Sequence, residues 1–321
     1  MTGLAAVVIG RNEGARLIAC LDSLSCVSTV VYVDSGSTDG SVMAARERGV
    51  AVVSLDMSQP FTAARARNAG LNHLRELGGV DVVQFVDGDC EVAAGWFDAA
   101  LTSLERDLEV GVVCGRRRER APDASIYNAQ CDREWDTPIG EALACGGDAL
   151  MRMAALDDVV GYDPTLIAGE EPELCLRLRA KGWKVIRIDA EMTRHDANIV
   201  RFSQFWKRAR RAGYAYAEGA HRHGKTPERH FVAQTNRALV WGLVLPLAIG
   251  SLTMFWWGYM MLGALIYPLQ ILRLARKKGG TKPAFDEAWL LTVSKFAEAR
   301  GVVEFHLGRL AKRPSGLIEY K

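Results

Sequence analysis

Residues Val82–Glu91 read VVQFVDGDCE, so a short apolar run leads directly into Asp87 and Asp89, which are separated by one glycine. Valine-rich runs of this length are typical of strands buried on both faces. Asp-Gly is also a common turn sequence, and the tripeptide alone is compatible with a plain turn at the end of a strand. The rest of the chain decides between a turn and a site built on paired carboxylates.

The first 115 residues alternate between short apolar runs and segments of helical period. The predicted strands are Leu4–Ile9, Val30–Val33, Val50–Leu55, Val82–Val86 and Val110–Cys114, and the predicted helices cover 14–24, 41–48, 62–77 and 95–104. This alternation predicts an α/β domain with a Rossmann-like, mostly parallel sheet flanked by helices and joined by right-handed crossovers. Ligands of such sheets bind at the carboxyl ends of the strands.

Polar clusters follow three of these predicted strands. They are Gly10-Arg11-Asn12-Glu13 after the first, Asp34-Ser35-Gly36-Ser37-Thr38-Asp39 after the second, and Asp87-Gly88-Asp89 after the fourth. Because the carboxyl ends of parallel strands meet at one rim of the sheet, the three clusters are expected to converge. A plain turn does not predict this convergence, whereas a ligand site does.

Composition excludes several classes of protein. The 321 residues are 49% hydrophobic and 24% charged, which describes a packed globular protein, and the net charge of +2 excludes a strongly basic nucleic-acid binder. Seven cysteines occur without CxxC spacing, which predicts reduced thiols in a cytosolic domain and neither a disulfide framework nor a thiolate metal site. The N-terminus has no basic leader and reads as a first strand, not as a signal peptide.

The segment Ala238–Leu272 has a different character, with 35 consecutive residues that carry no charge. As one helix it would run about 50 Å, well beyond a hydrocarbon core of ~30 Å. Basic residues flank both ends, so the positive-inside rule predicts a hairpin that crosses twice or dips and returns, with its turn at Gly250-Ser251. Five aromatic residues resemble interfacial anchors, namely Trp241, Trp256, Trp257, Tyr259 and Tyr267. The alternative is a buried core hairpin of a soluble protein.

The remaining C-terminal segment predicts an amphipathic helix over Glu287–Leu310, interrupted near Gly301, that packs on the membrane surface or on the catalytic domain. The predicted organisation is a catalytic domain at 1–220, a basic linker at 221–237, a transmembrane or re-entrant hairpin at 238–272, and a basic segment with the amphipathic helix at 273–321.

The chain resembles glycosyltransferase family 2, whose members have the GT-A fold. The resemblance covers about residues 4–218 and rests on five motifs in the correct order: VVIGRNE, VDSGSTDGS, ARARNAGLNHL, FVDGDCE and GEEPELCLRLRAKGW. Each motif is weak by itself, and their order along the chain gives the resemblance its specificity.

The resemblance implies that Asp87-Gly88-Asp89 is the family's DxD motif. Its carboxylates would hold Mn²⁺ or Mg²⁺, which bridges the diphosphate of a nucleotide-sugar donor, and Gly88 would allow ligand and metal to approach closely. His195, which follows a further predicted strand at Lys184–Ile188, matches a late histidine that completes the metal coordination in several GT-A enzymes. A structural role for this histidine is the alternative.

The resemblance also implies the residues that bind the nucleotide. Asp34, Ser37 and Asp39 would lie near the base and ribose, Asn12 and Glu13 would line the same pocket, and Arg67 would orient the donor. Two alternatives stand beside these roles. Asp39 also suits the N-cap of the following helix, and Arg67 also suits a solvated helix face.

An inverting transfer needs a base that deprotonates the acceptor hydroxyl. The resemblance implies a carboxylate of the pair Glu170-Glu171, with Glu171 at the base position, Glu170 still open as the alternative base, and Arg177 orienting either one. The alternative is a pair of first-turn acids that complement the helix dipole. The loop Gly146-Gly147-Asp148 matches the family's acceptor side.

These features predict an inverting, metal-dependent glycosyltransferase at the inner or plasma membrane with its catalytic domain in the cytoplasm. Its donor would be a nucleotide-diphosphate sugar, UDP-linked by family habit, and its acceptor a lipid-linked sugar or polysaccharide precursor. The basic run Lys207–Arg211 could engage a lipid phosphate or the anionic leaflet. The alternatives are a non-catalytic membrane adaptor built on a degenerate transferase domain, and a sugar-phosphate nucleotidyltransferase, whose glycine-rich N-terminal loop is missing here.

Overall fold

The structure is a computed structural model and describes residues 3–255 and 259–311. The chain forms two compact units. The first comprises Met1–Arg120 and Asp132–Ala197, and the second comprises Ala121–Cys131 and Asn198–Lys321.

The first unit is built on one nine-stranded sheet. Its strands are β1 (Leu4–Gly10), β2 (Thr29–Asp34), β3 (Ala51–Ser54), β4 (Val82–Asp87), β5 (Cys90–Val92), β6 (Val110–Glu119), β7 (Gly140–Glu141), β8 (Ala149–Arg152) and β9 (Lys184–His195). The strand order is β3-β2-β1-β4-β8-β6-β9-β5, and β7 pairs with β9. The strands β3, β2, β1 and β4 are parallel to one another, as the strand–helix alternation predicts.

Helices separate these strands along the chain. In the described residues of the first unit they are α1 (Ala15–Ser23), α2 (Ser41–Glu47), α3 (Ala63–Leu77), α4 (Trp96–Arg106), α6 (Met153–Asp158) and α7 (Glu170–Ala180), with α5 (Ile126–Glu134) shared between the units. Thr62 starts α3 because its side chain accepts a hydrogen bond from the backbone N–H of Arg65. The valines of β1, β2 and β4 are buried in the core together with leucines of α1 and α3.

The second half of the sheet departs from the predicted pattern. The antiparallel strands β5, β7 and β8 were not predicted, and β6 and β9 extend well beyond the predicted ends at Cys114 and Ile188. The extensions carry many charged residues, such as Arg116 and Arg117, and therefore lack the apolar run that marks a buried strand. His195 accordingly lies in β9 and pairs with Cys90 of β5, so it does not lie in a loop after the strand.

The second unit is helical in the described residues. It contains α8 (Phe202–His223), α9 (Val232–Leu239), a π-helical turn at Val240–Val244, α10 (Leu245–Phe255), a 3₁₀ segment at Tyr259–Leu265, α11 (Ile266–Lys277) and α12 (Lys282–Leu310). Buried Ala217, Ala238, Val302 and Phe305 form one hydrophobic cluster in this unit.

Two predictions about this unit are wrong. The predicted turn at Gly250-Ser251 lies inside α10, which continues to Phe255, since an apolar helix satisfies its own backbone hydrogen bonds and tolerates glycine. The predicted interruption at Gly301 is absent, because α12 runs unbroken through it. A Cβ at Gly301 would collide with the backbone carbonyl of Arg210, so this glycine lets α8 and α12 approach closely.

Within the described residues one helix, Val232–Met254, is long and apolar enough to cross a membrane, and 6% of its most apolar stretch is buried. Of the predicted aromatic anchors, Trp241 and Tyr267 are described, and the hydroxyl of Tyr267 donates to the carbonyl of Trp241. Trp256, Trp257 and the side chain of Tyr259 lie outside the described residues.

Candidate active site

The two aspartates of the opening stretch lie where β4 ends. The backbone N–H of Asp87 donates to Asp148 Oδ1 at 3.1 Å, and the N–H of Gly88 donates to the carbonyl of Ile9 at 2.8 Å. A Cβ at Gly88 would lie 3.1 Å from that carbonyl and 3.3 Å from Glu13 Cγ, so glycine lets this turn lie against β1. The end of β4 is therefore fixed from both sides.

Two arginines neutralise Asp87. Arg67 of α3 places Nη2 at 2.9 Å from Asp87 Oδ1, and Arg117 of β6 places Nη2 at 3.3 Å from Asp87 Oδ2. Arg67 is 2% exposed. The alternative reading of Arg67 as a solvated helix-face charge is therefore wrong, because it lies on the face of α3 that points into the unit. Burial of the charge is compensated by the carboxylates around it.

Asp89 faces a different partner. Its Oδ2 lies 3.4 Å from Nε2 of His195, and both side chains are buried. Burial, followed by the positive charge of Arg117, lowers the pKa of His195 to about 4, so the imidazole is neutral at neutral pH. Its Nδ1 lies 4.0 Å from Glu119 Oε2 and has no hydrogen-bond partner. A neutral imidazole nitrogen beside a carboxylate is a donor set that fits a divalent cation.

Other side chains near this pair extend the possible donor set. Two groups have candidate ligand atoms within 4.8 Å of one another: Asp89, Cys90 and His195, and Asp87, Cys90 and Asp148. Burial raises the pKa of Cys90 well above its usual value, so its sulfur stays protonated and is a poor ligand for a hard cation. The carboxylates and His195 therefore remain as the candidates for Mn²⁺ or Mg²⁺.

The loop after β2 is tied to the loop after β1. Asp34 is buried and accepts from the hydroxyl of Tyr32 at 3.1 Å and from the backbone N–H groups of Gly36 and Ser37 at 3.0 and 3.1 Å. Asn12 donates its N–H to Ser37 Oγ at 2.9 Å and accepts at Oδ1 from Thr38 N–H at 2.7 Å. Asp34 thus organises the loop in which the nucleotide-binding residues were predicted.

Two further predicted residues lie beside these loops. Asp39 accepts from the N–H of Ser41 at 2.9 Å, and hydrogen bonds from Ser41 lower its pKa. The N-cap of α2 is Gly40, without a side-chain capping hydrogen bond, so the predicted N-cap role of Asp39 is wrong by one position. Glu13 is paired with Arg16 at 2.7 Å. The structure therefore brings Asn12, Glu13, Asp34, Ser37 and Asp39 together around the ends of β1 and β2.

The acidic pair at the start of α7 reaches the same site. Arg67 Nη1 lies 2.7 Å from Glu171 Oε1 and 3.2 Å from Glu170 Oε1, so one guanidinium joins this pair to Asp87. Burial, followed by the negative charge of Glu170, raises the pKa of Glu171 to about 7, although Arg67 opposes the shift. The side chain of Glu171 is 12% exposed and that of Glu170 is 7% exposed. Glu171 is the more accessible carboxylate of the pair and titrates near neutral pH.

Two acceptor-side predictions are corrected. Arg177 does not contact either glutamate of the pair, because it lies six or seven residues further along α7, about 9–10 Å away at 1.5 Å per residue. It binds Glu173 at 2.8 Å and the carbonyl of Val159 at 2.6 Å. Asp148 is fully buried, and its Oδ2 accepts from Arg117 and Thr193 at 2.6 Å each, so it supports β4 and β6 from inside the sheet.

Gly147 is the part of that loop that touches the site, and it yields a prediction. A Cβ there would lie 2.7 Å from Asp87 Oδ2 and 2.8 Å from Arg67 Nη2, closer than real contacts allow. We expect Gly147→Ala to displace one of these groups and to lower kcat/KM at least tenfold, about 1.4 kcal/mol. Gly146→Ala is the matched control, because a Cβ there meets nothing within 4 Å. Equal activity of the two variants in steady-state assays would contradict the packing described.

Sequence reasoning missed Arg117, which contacts both Asp87 and Asp148. It lies in the run Arg116-Arg117-Arg118, which carries no motif and reads as a solvated charge run. The signal that could have found it is the strand pattern, since β6 continues past Cys114 and reaches the rim where the aspartates lie.

Comparisons with known proteins identify a family and a fold. The model of the family "Glycosyl transferase family 2" matches residues 6–159. No curated protein sequence matches the chain.

Three solved structures show the fold. A mannosyltransferase from Pyrobaculum calidifontis, in complex with GDP-Man and Mn²⁺, is 21% identical with a TM-score of 0.65, covering 95% of this chain and 87% of that one. TarS 1-349 from S. aureus is 15% identical with a TM-score of 0.51, covering 96% and 92%. GalNAc-T7, solved with UDP, GalNAc and Mn²⁺, is 14% identical with a TM-score of 0.51, covering 74% and 55%. Residues 6–159 therefore form a glycosyltransferase family 2 domain, and the protein has the GT-A fold and is a glycosyltransferase.

Proposed function

We propose that this protein is an inverting, metal-dependent glycosyltransferase that moves a sugar from a nucleotide-diphosphate sugar to a lipid-linked or polysaccharide-precursor acceptor at a membrane. The observation that carries the proposal is the guanidinium of Arg67, which contacts both the first aspartate of the DxD sequence and the glutamate pair at the start of α7. In this arrangement the donor phosphates and a catalytic base would lie around one buried cation.

Asp87, Asp89 and His195 are the residues that would hold the metal. Bound there, Mn²⁺ or Mg²⁺ would supply the positive charge that neutralises a diphosphate leaving group. The solved relatives that contain Mn²⁺ support this ion, and the imidazole of His195 suits a transition metal better than Mg²⁺. Arg67 and Arg117 hold Asp87 in place from either side.

The other residues bind the donor and activate the acceptor. Asn12, Ser37 and the loop ordered by Asp34 would contact the base and ribose, and Asp39 would hold the start of α2 beside them. Glu171 would accept the proton of the acceptor hydroxyl as the hydroxyl attacks the anomeric carbon. One displacement on the face opposite the leaving diphosphate inverts the anomeric configuration. The accessible position of Glu171 supports its assignment as the base over Glu170.

The proposal is tested by donor binding and product analysis. We expect one nucleotide diphosphate, of the uridine and guanosine series, to raise the thermal stability of the protein with Mn²⁺ and not with EDTA. A ligand at 100 times its Kd stabilises the folded state by about 2.7 kcal/mol. Uridine is the first choice from the family resemblance, and the relative in complex with GDP-Man makes guanosine the second. The product of the matching donor should show the inverted anomeric configuration by NMR.

Two outcomes would contradict the proposal. Stabilisation by every nucleotide without regard to metal would show nonspecific binding of anions. Retention of the anomeric configuration would exclude a single displacement on the face opposite the diphosphate and would remove the role given to Glu171.

The apolar helix supports the membrane part of the proposal. The side chains of Leu247, Leu252 and Met254 are exposed although they are apolar, and such a surface fits lipid better than water. The basic residues before and after the segment suit an anionic leaflet, so the catalytic domain would lie in the cytoplasm at the inner or plasma membrane.

We expect Leu247→Lys combined with Leu252→Lys to release the protein from membranes. Each lysine at the centre of an apolar helix costs roughly 2.5–3.5 kcal/mol of insertion free energy. The measurement is flotation of the purified protein with vesicles of phosphatidylethanolamine and phosphatidylglycerol. Leu108→Lys is the control, because Leu108 is an exposed leucine of the first unit. If the wild-type protein does not float with these vesicles, the proposed membrane association is contradicted.

A further inference from the structure

A cavity of about 560 Å³ lies in the first unit. It is formed by β6, β9 and the segment that follows Trp135, and its lining does not include Asp87, Asp89 or Glu171. Its volume falls within the range of roughly 300–1,000 Å³ that is usual for small-molecule sites. It is therefore large enough for a small molecule and is separate from the residues of the proposed reaction centre.

Two arginines reach this cavity. Arg187 is 2% exposed, its Nη1 donates to the carbonyl of Ile188 at 2.8 Å, and its Nε has no hydrogen-bond partner. Arg116 donates from Nη1 to the carbonyl of Asp132 at 2.7 Å. The carboxylate of Asp136 lies 3.4 Å from Arg116 Nε and 3.5 Å from Arg187 Nη2, and its side chain is 63% exposed. The Nε of Arg187 is itself buried, so the charged groups that a ligand in the cavity can reach are the exposed carboxylate of Asp136 and the guanidinium groups paired with it.

The charges around the cavity indicate a neutral ligand. Its lining carries three carboxylates, from Asp136, Asp189 and Glu191, beside the guanidinium groups of Arg116 and Arg187. The carboxylates disfavour an anion, and the arginines disfavour a cation. Arginine only donates hydrogen bonds and a carboxylate only accepts them, whereas a hydroxyl does both. A compound with several hydroxyls therefore matches this lining.

The cavity also offers apolar surface. Pro138, Ala190 and Ile139 line it, and Ile139 is 60% exposed. A pyranose ring presents a face of C–H groups that can pack on such side chains, while its hydroxyls bond to the charged groups around them. This combination distinguishes a saccharide from a smaller polyol.

The segment that lines the cavity also contacts the proposed active site. The guanidinium of Arg117 lies over the ring of Trp135 at 5.4 Å, and the ring of His195 meets Trp135 edge-on at 4.9 Å. Asp136, the next residue, contacts the two arginines of the cavity. A ligand bound against Asp136 would therefore lie next to Trp135, the residue that packs against Arg117 and His195.

We propose that this cavity binds a neutral saccharide unit of the acceptor, at a distance from the hydroxyl that reacts. The inference rests on the proposed function and deepens it, since it assigns the acceptor to the class of glycans with at least one uncharged sugar beyond the reacting one. A phosphate or another anionic group of the acceptor would bind elsewhere.

The experiment measures binding of neutral trisaccharides of glucose, mannose, galactose and N-acetylglucosamine to the full chain by ligand-observed NMR and calorimetry, with inorganic phosphate as the anionic probe. Thr137→Trp would fill the cavity from an exposed position, and Ile139→Asp would add a charge to its apolar wall. Leu108→Asp is the matched control, because Leu108 is a similarly exposed aliphatic residue outside the cavity. Binding of the nucleotide donor is measured in parallel on all variants.

We expect at least one trisaccharide to bind the wild-type protein, with affinity at least tenfold lower in both cavity variants, unchanged in the control, and with donor binding unchanged throughout. Absence of binding by every trisaccharide, equal affinity in the cavity variants, or binding of phosphate alone would overturn the inference. If the donor binds and is turned over but no saccharide binds, the cavity is not a saccharide site, whereas the proposed transferase function stands. If a saccharide binds at the cavity but no nucleotide sugar is turned over, the proposed function is contradicted, whereas the saccharide site stands.

Discussion

Asp89→Asn is expected to lower kcat/KM by about 10³-fold or more and to remove the Mn²⁺-dependent stabilisation by the donor nucleotide. A loss of 10³-fold corresponds to about 4 kcal/mol of transition-state stabilisation. The reason is the position of the carboxylate, which lies 3.4 Å from a neutral imidazole and is buried. Asparagine keeps the size of the side chain and removes its charge, so a divalent cation loses its anionic ligand.

The measurements are steady-state kinetics and thermal unfolding with Mn²⁺, with and without nucleotide. Without ligand, the variant should unfold near the wild-type temperature, because replacing a buried carboxylate by an amide does not add a charge to the interior. Asp98→Asn, at an exposed position in the first turn of α4, is the control and should behave as the wild type. An Asp89→Asn variant that keeps metal-dependent nucleotide binding would show that the carboxylate is not a ligand.

Glu171→Gln is expected to lower kcat by about 10²–10⁴-fold while binding of the donor stays unchanged, because a general base contributes about that factor. The glutamine fills the same space and cannot accept the proton. Glu170 still pairs with Arg67 at 3.2 Å, so the guanidinium keeps one of its two glutamates. Donor affinity is measured by calorimetry and kcat under saturating donor and acceptor.

The same residue predicts the pH dependence. Burial and the charge of Glu170 raise the pKa of Glu171 to about 7, and the base acts in its ionised form, which dominates above that pH. Activity should therefore fall on the acid side of pH 7, approaching tenfold for each pH unit. The residual activity of Glu171→Gln should not show this fall below pH 7.

Glu170→Gln separates the two carboxylates. Glu170 is the neighbouring residue and contacts the same guanidinium. Its replacement by glutamine should reduce activity less than Glu171→Gln does, and activity should still fall below pH 7. If Glu170→Gln instead showed the large loss of kcat and no fall in activity below pH 7, the base would be Glu170 and the proposed roles of the two residues would be exchanged.

The parallel half of the fold follows from local sequence. Valine-rich runs and helical periodicity predict the parallel strands β1 to β4 and helices α1 to α4, because a strand buried on both faces must be apolar along its whole length. The antiparallel strands β5, β7 and β8 are two to four residues long, too short to show a period, and β6 and β9 continue into charged residues. Their pairing depends on partners that are distant in the chain.

The candidate site, like the fold, follows from the local sequence only in part. The positions of Asp87 and Asp89 at a strand end follow from the sequence, since the apolar run and its end are local features. Arg67 contacts Asp87, which is 20 positions away in the sequence (87 − 67). It also contacts Glu171, which is 104 positions away (171 − 67). No local pattern contains such a contact, although the family resemblance implied a role for each of the three residues: Asp87 in metal binding, Arg67 in orienting the donor, and Glu171 as the base.

The sequence by itself determined that this protein has an α/β domain with paired aspartates at one rim, and an uncharged segment that cannot remain exposed to water. Only the tertiary structure decided that Arg117 belongs to the site, that Arg177 and Asp148 serve the scaffold, and that α12 continues through Gly301. The physical reason is that hydrophobic period and turn chemistry act over a few residues. Ion pairs, buried hydrogen bonds and close helix packing depend on which distant residues the fold brings within a few ångströms.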